Sequence, residues 1–329
     1  MASLTRPKAA PWPRCSARWV YCEIVRVLCK AELGVIADRD GISAADTVSR
    51  VHAQESEHDA RFQDDRATLH AASCLFWWHL SNYLALESAL QRIENLEVDQ
   101  TLCLGDLGAF GPYPDRVFEP LQRARVVVLQ GNYDDSIGNE KSDCQCGYTD
   151  PRDNFFAQKS YDYTLANTSA ANKKMLRGLP QHARFRLGDL HVLACHGSPR
   201  QVNEFLWDST SSDAFLNRLL DECQADVLLC THTGIKWHRQ LPGDRHVVNV
   251  GALGRPENDG TQQVWISTLS ANKRELQVDF HAVDYDVERL ASEMESEQLP
   301  KEFVDTIRSG WWTTCLEVLP YRERVRGMH

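Results

Sequence analysis

The sequence predicts an α/β fold with parallel strands, and three observations predict it. Thr101 to Asp135 reads strand, loop, helix, strand: Leu102–Leu104 stops at Gly105-Asp106, Val126–Leu129 stops at Gly131-Asn132, and Val117, Phe118 and Leu121 between them mark one buried helix face. Two later apolar runs, around Leu190–Leu193 and Val227–Leu229, end in the same way, at Cys195-His196-Gly197 and Cys230-Thr231-His232. Each strand thus ends at a polar residue beside a small one. A strand–helix–strand unit of this kind pairs its strands in parallel through a right-handed crossover, and ligands bind in the crevice beyond the carboxyl ends of such strands.

Four strand ends therefore deliver Asp106, Asn132, His196 and His232 toward one crevice. A carboxylate, a carboxamide and two imidazoles form an oxygen and nitrogen set suited to a divalent metal ion such as Mn, Fe or Zn. Taken singly, an Asp after a strand is more often a turn or a helix cap. The ordered quartet is what points to a site.

At these residues the sequence resembles the calcineurin-like metallophosphoesterases, whose ordered motifs are Asp-x-His, Gly-Asp, Gly-Asn-His-Asp, a lone His and Gly-His-x-His. Gly105-Asp106, Gly131-Asn132-Tyr133-Asp134, His196 in CHGSP and Thr231-His232-Thr233-Gly234 stand for the second to fifth motifs. GAFGPYPDRV after Asp106 looks like the phosphodiesterase branch, and VVNVGALGRPENDG (247–260) looks like the family's closing strand and loop. The likeness runs from about Ser81 to Leu276. It implies an α/β sandwich of central sheets flanked by helices.

The resemblance also implies a remodelled site. The family's ligands for one of its two metals map onto Asp106, Asn132, His196 and His232. Those of the other do not: Asp-x-His aligns with Trp78-His79-Leu80, and the final His is Gly234. The catalytic His that protonates the leaving group is Tyr133 here, beside Asp134, which orients that His in family members and here suits Tyr133 or a loop amide. A phenol of ordinary pKa about 10 is a poorer acid–base group near neutrality. One divalent ion is expected rather than a two-metal clamp on phosphate.

The chain in order begins with residues 1–70, expected to be a poorly ordered extension. Met1–Lys30 is basic and proline-dotted with no acid before Glu23, which also fits a transit peptide. Family likeness starts abruptly at Ser81, after Phe76-Trp77-Trp78-His79-Leu80. Tryptophan has a single codon, so Trp-Trp-His read one base later gives Gly-Gly followed by Ile or Thr. A frame slip upstream is the hypothesis this raises, and a transcript with an intact reading frame through residue 78 would overturn it. Residues 71–276 form the expected catalytic-type domain. SNYLALESALQRI reads as a helix capped by Ser81 or Asn82. Residues 136–165 read as a polar, aromatic insertion with turns at Gly147 and Asp150-Pro151; its aromatics suit a pocket wall or ordinary surface packing. Residues 168–180 read as a capped helix, FRLGDLHVLACHG as a hairpin and 205–223 as a loop and helix. Arg200 suits a bidentate clamp on substrate phosphate or carboxylate, and equally an ion pair with Glu204. His238 and His246 lack partners at useful spacing and read as surface residues. In the tail, 277–329, a strand and an acidic helix precede Trp311, Trp312 and Leu316, expected to dock it on the domain or on a second subunit, which leaves a homo-oligomer open.

Composition bounds the function. The 329 residues are 43% hydrophobic and 25% charged, those of a globular chain with a large core. A net charge of −10 argues against binding a nucleic acid backbone but not against a small phosphorylated substrate. Eleven cysteines, several within apolar runs, read as buried free thiols of a cytoplasmic protein with no membrane-spanning stretch. Cys144-x-Cys146 lacks a matching pair at zinc-site spacing. The reading that leads is a divergent metal-dependent phosphoesterase acting on a small phosphomonoester or phosphodiester. Its alternatives are an inactive scaffold of the same fold and a site running other metal-assisted chemistry on a small metabolite.

Overall fold

The computed structural model describes residues 73–77, 79–96 and 98–326, so the expected N-terminal extension lies outside the described residues. The strands, in chain order, are Ser73–Trp77 (β1), Gln100–Cys103 (β2), Val127–Val128 (β3), His182–Leu187 (β4), Leu190–Cys195 (β5), Val227–Cys230 (β6), Trp237–Leu241 (β7), Arg245–Asn249 (β8), Val264–Asn272 (β9) and Glu275–Val283 (β10). They form two five-stranded sheets, ordered β10-β9-β1-β2-β3 and β4-β5-β6-β8-β7. β1, β2 and β3 are parallel, as are β5, β6 and β8. The strand–helix–strand unit read around Thr101–Asp135 is present, although β3 is only two residues long.

Alternation along the strands explains the layering. Leu102, Leu104, Leu129, Val192, Ala194, Val227, Leu229 and Val248 form one buried cluster drawn from both sheets. The residues between them face the other way: Cys103 joins the cluster under the helices of the first sheet, and Leu193, Cys195, Leu228 and Cys230 join the one under the second. Side chains on a strand alternate faces, so strands buried on both faces read as continuous apolar runs. The result is an α/β sandwich with helices outside both sheets.

The helices that position the site are Tyr83–Ile93 (α1), Phe118–Arg123 (α2), Asn132–Gly138 (α3), Pro151–Asn167 (α4), Ala170–Arg177 (α5) and Asp213–Cys223 (α6). Asn82 caps α1 through Oδ1 to the Ala85 amide at 3.0 Å. Ser169 caps α5, and Ser212 caps α6. The insertion differs from its sequence reading. Asp150-Pro151 is not a loop turn but the start of the 17-residue α4: the Asp150 carboxylate accepts from the Arg152 and Asp153 amides, and proline occupies the first turn, where no intrahelical donor is needed.

The C-terminal stretch begins inside the sheet, because β10 pairs with β9 along its whole length. Two helices follow, Val287–Ser296 (α7) and Lys301–Ser309 (α8), then the short Tyr321–Arg324 (α9). Trp312 packs with Trp207, Ile235 and Leu319, so the tail docks on its own domain. Buried Asp153 of α4 holds it by accepting from the Cys315 amide at 2.7 Å and the Glu317 amide at 3.3 Å. Among the described residues no helix is long and apolar enough to cross a membrane.

Candidate metal centre

Asp106, Asn132, His196 and His232 follow the carboxyl ends of β2, β3, β5 and β6, two from each sheet. The loop after β2 turns sharply. Gly105 and Asp106 have φ of +97° and +53°, and a side chain on Gly105 would meet the Gly131 nitrogen at 2.4 Å. A Cβ on Gly131 would lie 2.0 Å from Asp106 Oδ1. Small residues at both strand ends thus let the two loops touch. Asp134 locks them together: its carboxylate accepts from the amides of Asp106 at 2.7 Å, Leu107 at 2.9 Å and Gly131 at 2.8 Å. Of the two roles open to Asp134 in the sequence, holding loop amides is the one it takes.

Asp106, His196 and His232 are buried, and each offers a ligand atom within 4.8 Å of the other two, so they could hold a metal ion. His196 Nε2 lies 3.0 Å from Asp106 Oδ2 and 3.1 Å from His232 Nδ1. The far nitrogen of each ring faces a backbone carbonyl. His196 Nδ1 is 2.7 Å from Leu104 O, and His232 Nε2 is 3.3 Å from Cys146 O. A carbonyl only accepts, so those nitrogens carry protons, which leaves His196 Nε2 and His232 Nδ1 as the nitrogens that could ligate an ion in exchange for any proton they hold. Asn132 has the same design. Its Nδ2 donates to Cys144 O at 2.9 Å, while its buried Oδ1 has no hydrogen-bond partner. An orphaned carboxamide oxygen together with a carboxylate and two imidazoles is a donor set that fits a divalent cation.

Charge coupling follows the geometry. Burial raises the Asp106 carboxyl, but the charge of His196 and its hydrogen bond outweigh this and hold it below the usual range. For His196 burial lowers the imidazole, and Asp106 more than reverses it. Burial, then the His196 charge, pushes His232 down to about 3. Asp134 is pushed up to about 7 by burial and by the Asp106 charge, against its three amide donors.

The site opens into a cavity with about 60 Å³ accessible to the centres of water molecules. Asp106, Asn132 and His232 line it together with Tyr133, Tyr148, Phe156, Arg255 and Cys315. Leu80, in the position of the missing first-motif histidine, is also at its wall. Tyr133 is 5% exposed, its O–H is 3.4 Å from Ala157 O, and burial raises its pKa well above that of a free phenol. The aromatic insertion does wall the pocket, through Tyr148 of the loop and Phe156 of α4.

Two sequence readings need correction and one alternative is settled. Arg200 does not line the cavity: Glu204 takes its guanidinium, with Nε 3.1 Å from Oε2, and the ion pair is the reading that holds. His246 is 3% exposed rather than a surface residue, and it meets His238 Nε2 at 3.0 Å across the β7–β8 pair. Cys103, Cys195, Cys223, Cys230 and Cys315 are free and buried as expected, whereas Cys144 and Cys146 are bonded to each other. That disulfide loop supplies the two carbonyls that orient Asn132 and His232. Sequence reasoning missed Arg255 as a cavity residue. For Arg255 the available signal was its place in the loop after the closing strand.

The chain is 21% identical over 238 residues to an uncharacterized protein of Methanocaldococcus jannaschii, covering 67% of this chain and 90% of that one. Among solved structures it is similar to a hypothetical protein from Pyrococcus horikoshii OT3, with a TM-score of 0.62, 20% identity and coverage of 73% and 99% of the two chains. A metallophosphoesterase from Sphaerobacter thermophilus gives a TM-score of 0.55, 22% identity and coverage of 72% and 99%. At these identities the structural likeness establishes the fold alone. The calcineurin-like phosphoesterase superfamily domain matches residues 69–272, more than half of the sequence, and the chain belongs to that superfamily.

Proposed function

We propose that this protein is a metal-dependent phosphoesterase that hydrolyses a small phosphomonoester or phosphodiester at a site holding one divalent ion. The observation that carries this reading is the donor set. Asn132 Oδ1 has no partner, the carbonyls of Leu104 and Cys146 hold one nitrogen of each imidazole, and the candidate ligand atoms of Asp106, His196 and His232 lie within 4.8 Å of one another. Asp106, Asn132, His196 and His232 would hold the ion. When bound, a divalent cation supplies a Lewis acid toward a phosphoryl oxygen and a nucleophile from water at neutral pH. Asp134 acts as a positioning residue, since its three amide bonds fix the loops that carry Asp106 and Asn132. Tyr133, protonated throughout the neutral range, donates a hydrogen bond to the leaving-group oxygen rather than shuttling a proton as an imidazole does. The net charge of −10 and the small cavity favour a compact ligand over a nucleic acid backbone.

A second reading, a binding or scaffold protein that keeps the fold without turnover, is favoured by Tyr133 itself, because a buried phenol is a weak general acid. Hydrolysis of an aryl phosphate and an aryl phosphodiester by metal-loaded protein tests the two. Turnover that vanishes in His196→Ala and falls in Tyr133→Phe supports the enzyme. Bound metal with no turnover on any phosphoester supports the second reading.

A further inference from the structure

Arg255, in the loop after β8, is 7% exposed and lines the same cavity as Asp106, Asn132 and His232. Its guanidinium carbon lies 3.6 Å from the centre of the Trp312 ring and 5.2 Å from that of Phe110. Nη2 donates to Thr314 O at 3.2 Å, and buried Nε has no hydrogen-bond partner. Among the described residues no carboxylate lies within ion-pair distance of it. Other half-buried cations here do have acids: Arg239 has Asp208 and Asp213, and Lys236 has Glu257. A buried charge that is not paired is costly, and a ring stack offsets only part of that cost.

An anionic ligand would complete the arrangement. Asp106 offsets part of the charge of a divalent ion bound between the strand ends, so a doubly charged phosphoryl group is not neutralised by the ion and its donors alone. Arg255 supplies positive charge on the cavity wall, and its planar fork suits a phosphoryl oxygen pair. Tyr148, whose phenol feels the Arg255 charge, adds a neutral donor beside it, since burial, above all, keeps its proton on. We propose that Arg255 is the anion clamp of the cavity, donating to an oxygen of the ligand's phosphoryl group in the same cavity that Asp106, Asn132 and His232 line. The proposal rests on the phosphoester reading above for the identity of the anion. The rival role is purely structural, with Arg255 stapling Trp312 and the tail.

Titration calorimetry with inorganic phosphate on the metal-loaded full chain distinguishes these roles, with metal content and melting temperature measured on every variant. The clamp predicts phosphate affinity lower by roughly tenfold or more in Arg255→Gln, an intermediate loss in Arg255→Lys, unchanged metal content, and wild-type affinity in the exposed control Arg200→Gln. If Arg255→Gln does not fold, Arg255→Lys keeps the charge and carries the test by its several-fold loss. Wild-type phosphate affinity in folded Arg255 variants, or no phosphate binding by the wild type, overturns the clamp. Arg255-dependent phosphate binding without hydrolysis of any phosphoester upholds the clamp while the turnover reading fails. Hydrolysis with Arg255-independent phosphate binding does the reverse.

Discussion

His79 is fully buried, and neither of its ring nitrogens has a hydrogen-bond partner. An unsatisfied buried polar group costs about 1–3 kcal/mol, so His79→Leu should stabilise the fold by that order in urea unfolding at pH 7. Burial pushes the ring down to about 3, whereas the unfolded ring titrates near 6.5. The unfolded chain therefore takes up a proton that the folded chain refuses, and stability is lost as pH falls from about 6.5 toward 3. The loss is at most about 1.4 kcal/mol per pH unit for this group, and His79→Leu should flatten the curve by that amount between pH 6 and pH 5. Equal curves for the two proteins would contradict the assignment. Trp77 Nε1 and Asn82 Nδ2 are orphaned in the same stretch. Asp134 is the opposite case, a carboxylate with three amide donors. Asp134→Ala should cost about 3 kcal/mol or more and lower metal content, read by denaturant unfolding and elemental analysis. At this scale the sequence revealed Asp106, Asn132, His196 and His232, because each follows its own apolar run directly. It did not reveal Arg255, which reaches the cavity only through long-range loop packing, and it left the aromatics of the insertion open between pocket wall and surface packing. Nor did it decide on Arg200, whose acid lies four residues away.

Among the elements, the β2 and β3 loops depend on glycine. Gly131→Ala places a methyl 2.0 Å from Asp106 Oδ1, so the carboxylate must move or the loops must part. Overpacking of this kind costs about 1–3 kcal/mol, and the variant should lose stability and metal together. Retention of both would show that the loop contact is not what places Asp106. The helices on either side of the sheets were legible where a capping residue precedes an apolar period, as with α1, α5 and α6. α4 was not. Asp150-Pro151 is turn chemistry and helix-start chemistry alike, and the polar run after it shows little apolar period to separate the two. The Cys144–Cys146 disulfide was invisible for a related reason, since a lone CxC has no spacing that distinguishes thiols from a bond.

For the whole molecule, the two sheets meet along Leu, Val and Ala, with their strand ends converging on one centre, and the tail covers the cavity beside it. Trp312→Ala would remove the ring under Arg255 and the Nε1 bond to Pro256 O at 2.6 Å. A buried Trp→Ala change costs about 3–5 kcal/mol. It should lower the melting temperature and weaken phosphate binding while leaving metal content unchanged, since none of the donor atoms belongs to the tail. The most direct measurement of the central claim is metal content by elemental analysis on protein purified without chelator, for the wild type, His196→Ala and His232→Ala. The account predicts about one divalent ion per chain, lost in both variants. Two ions per chain, or undiminished metal in the two histidine variants, would contradict it.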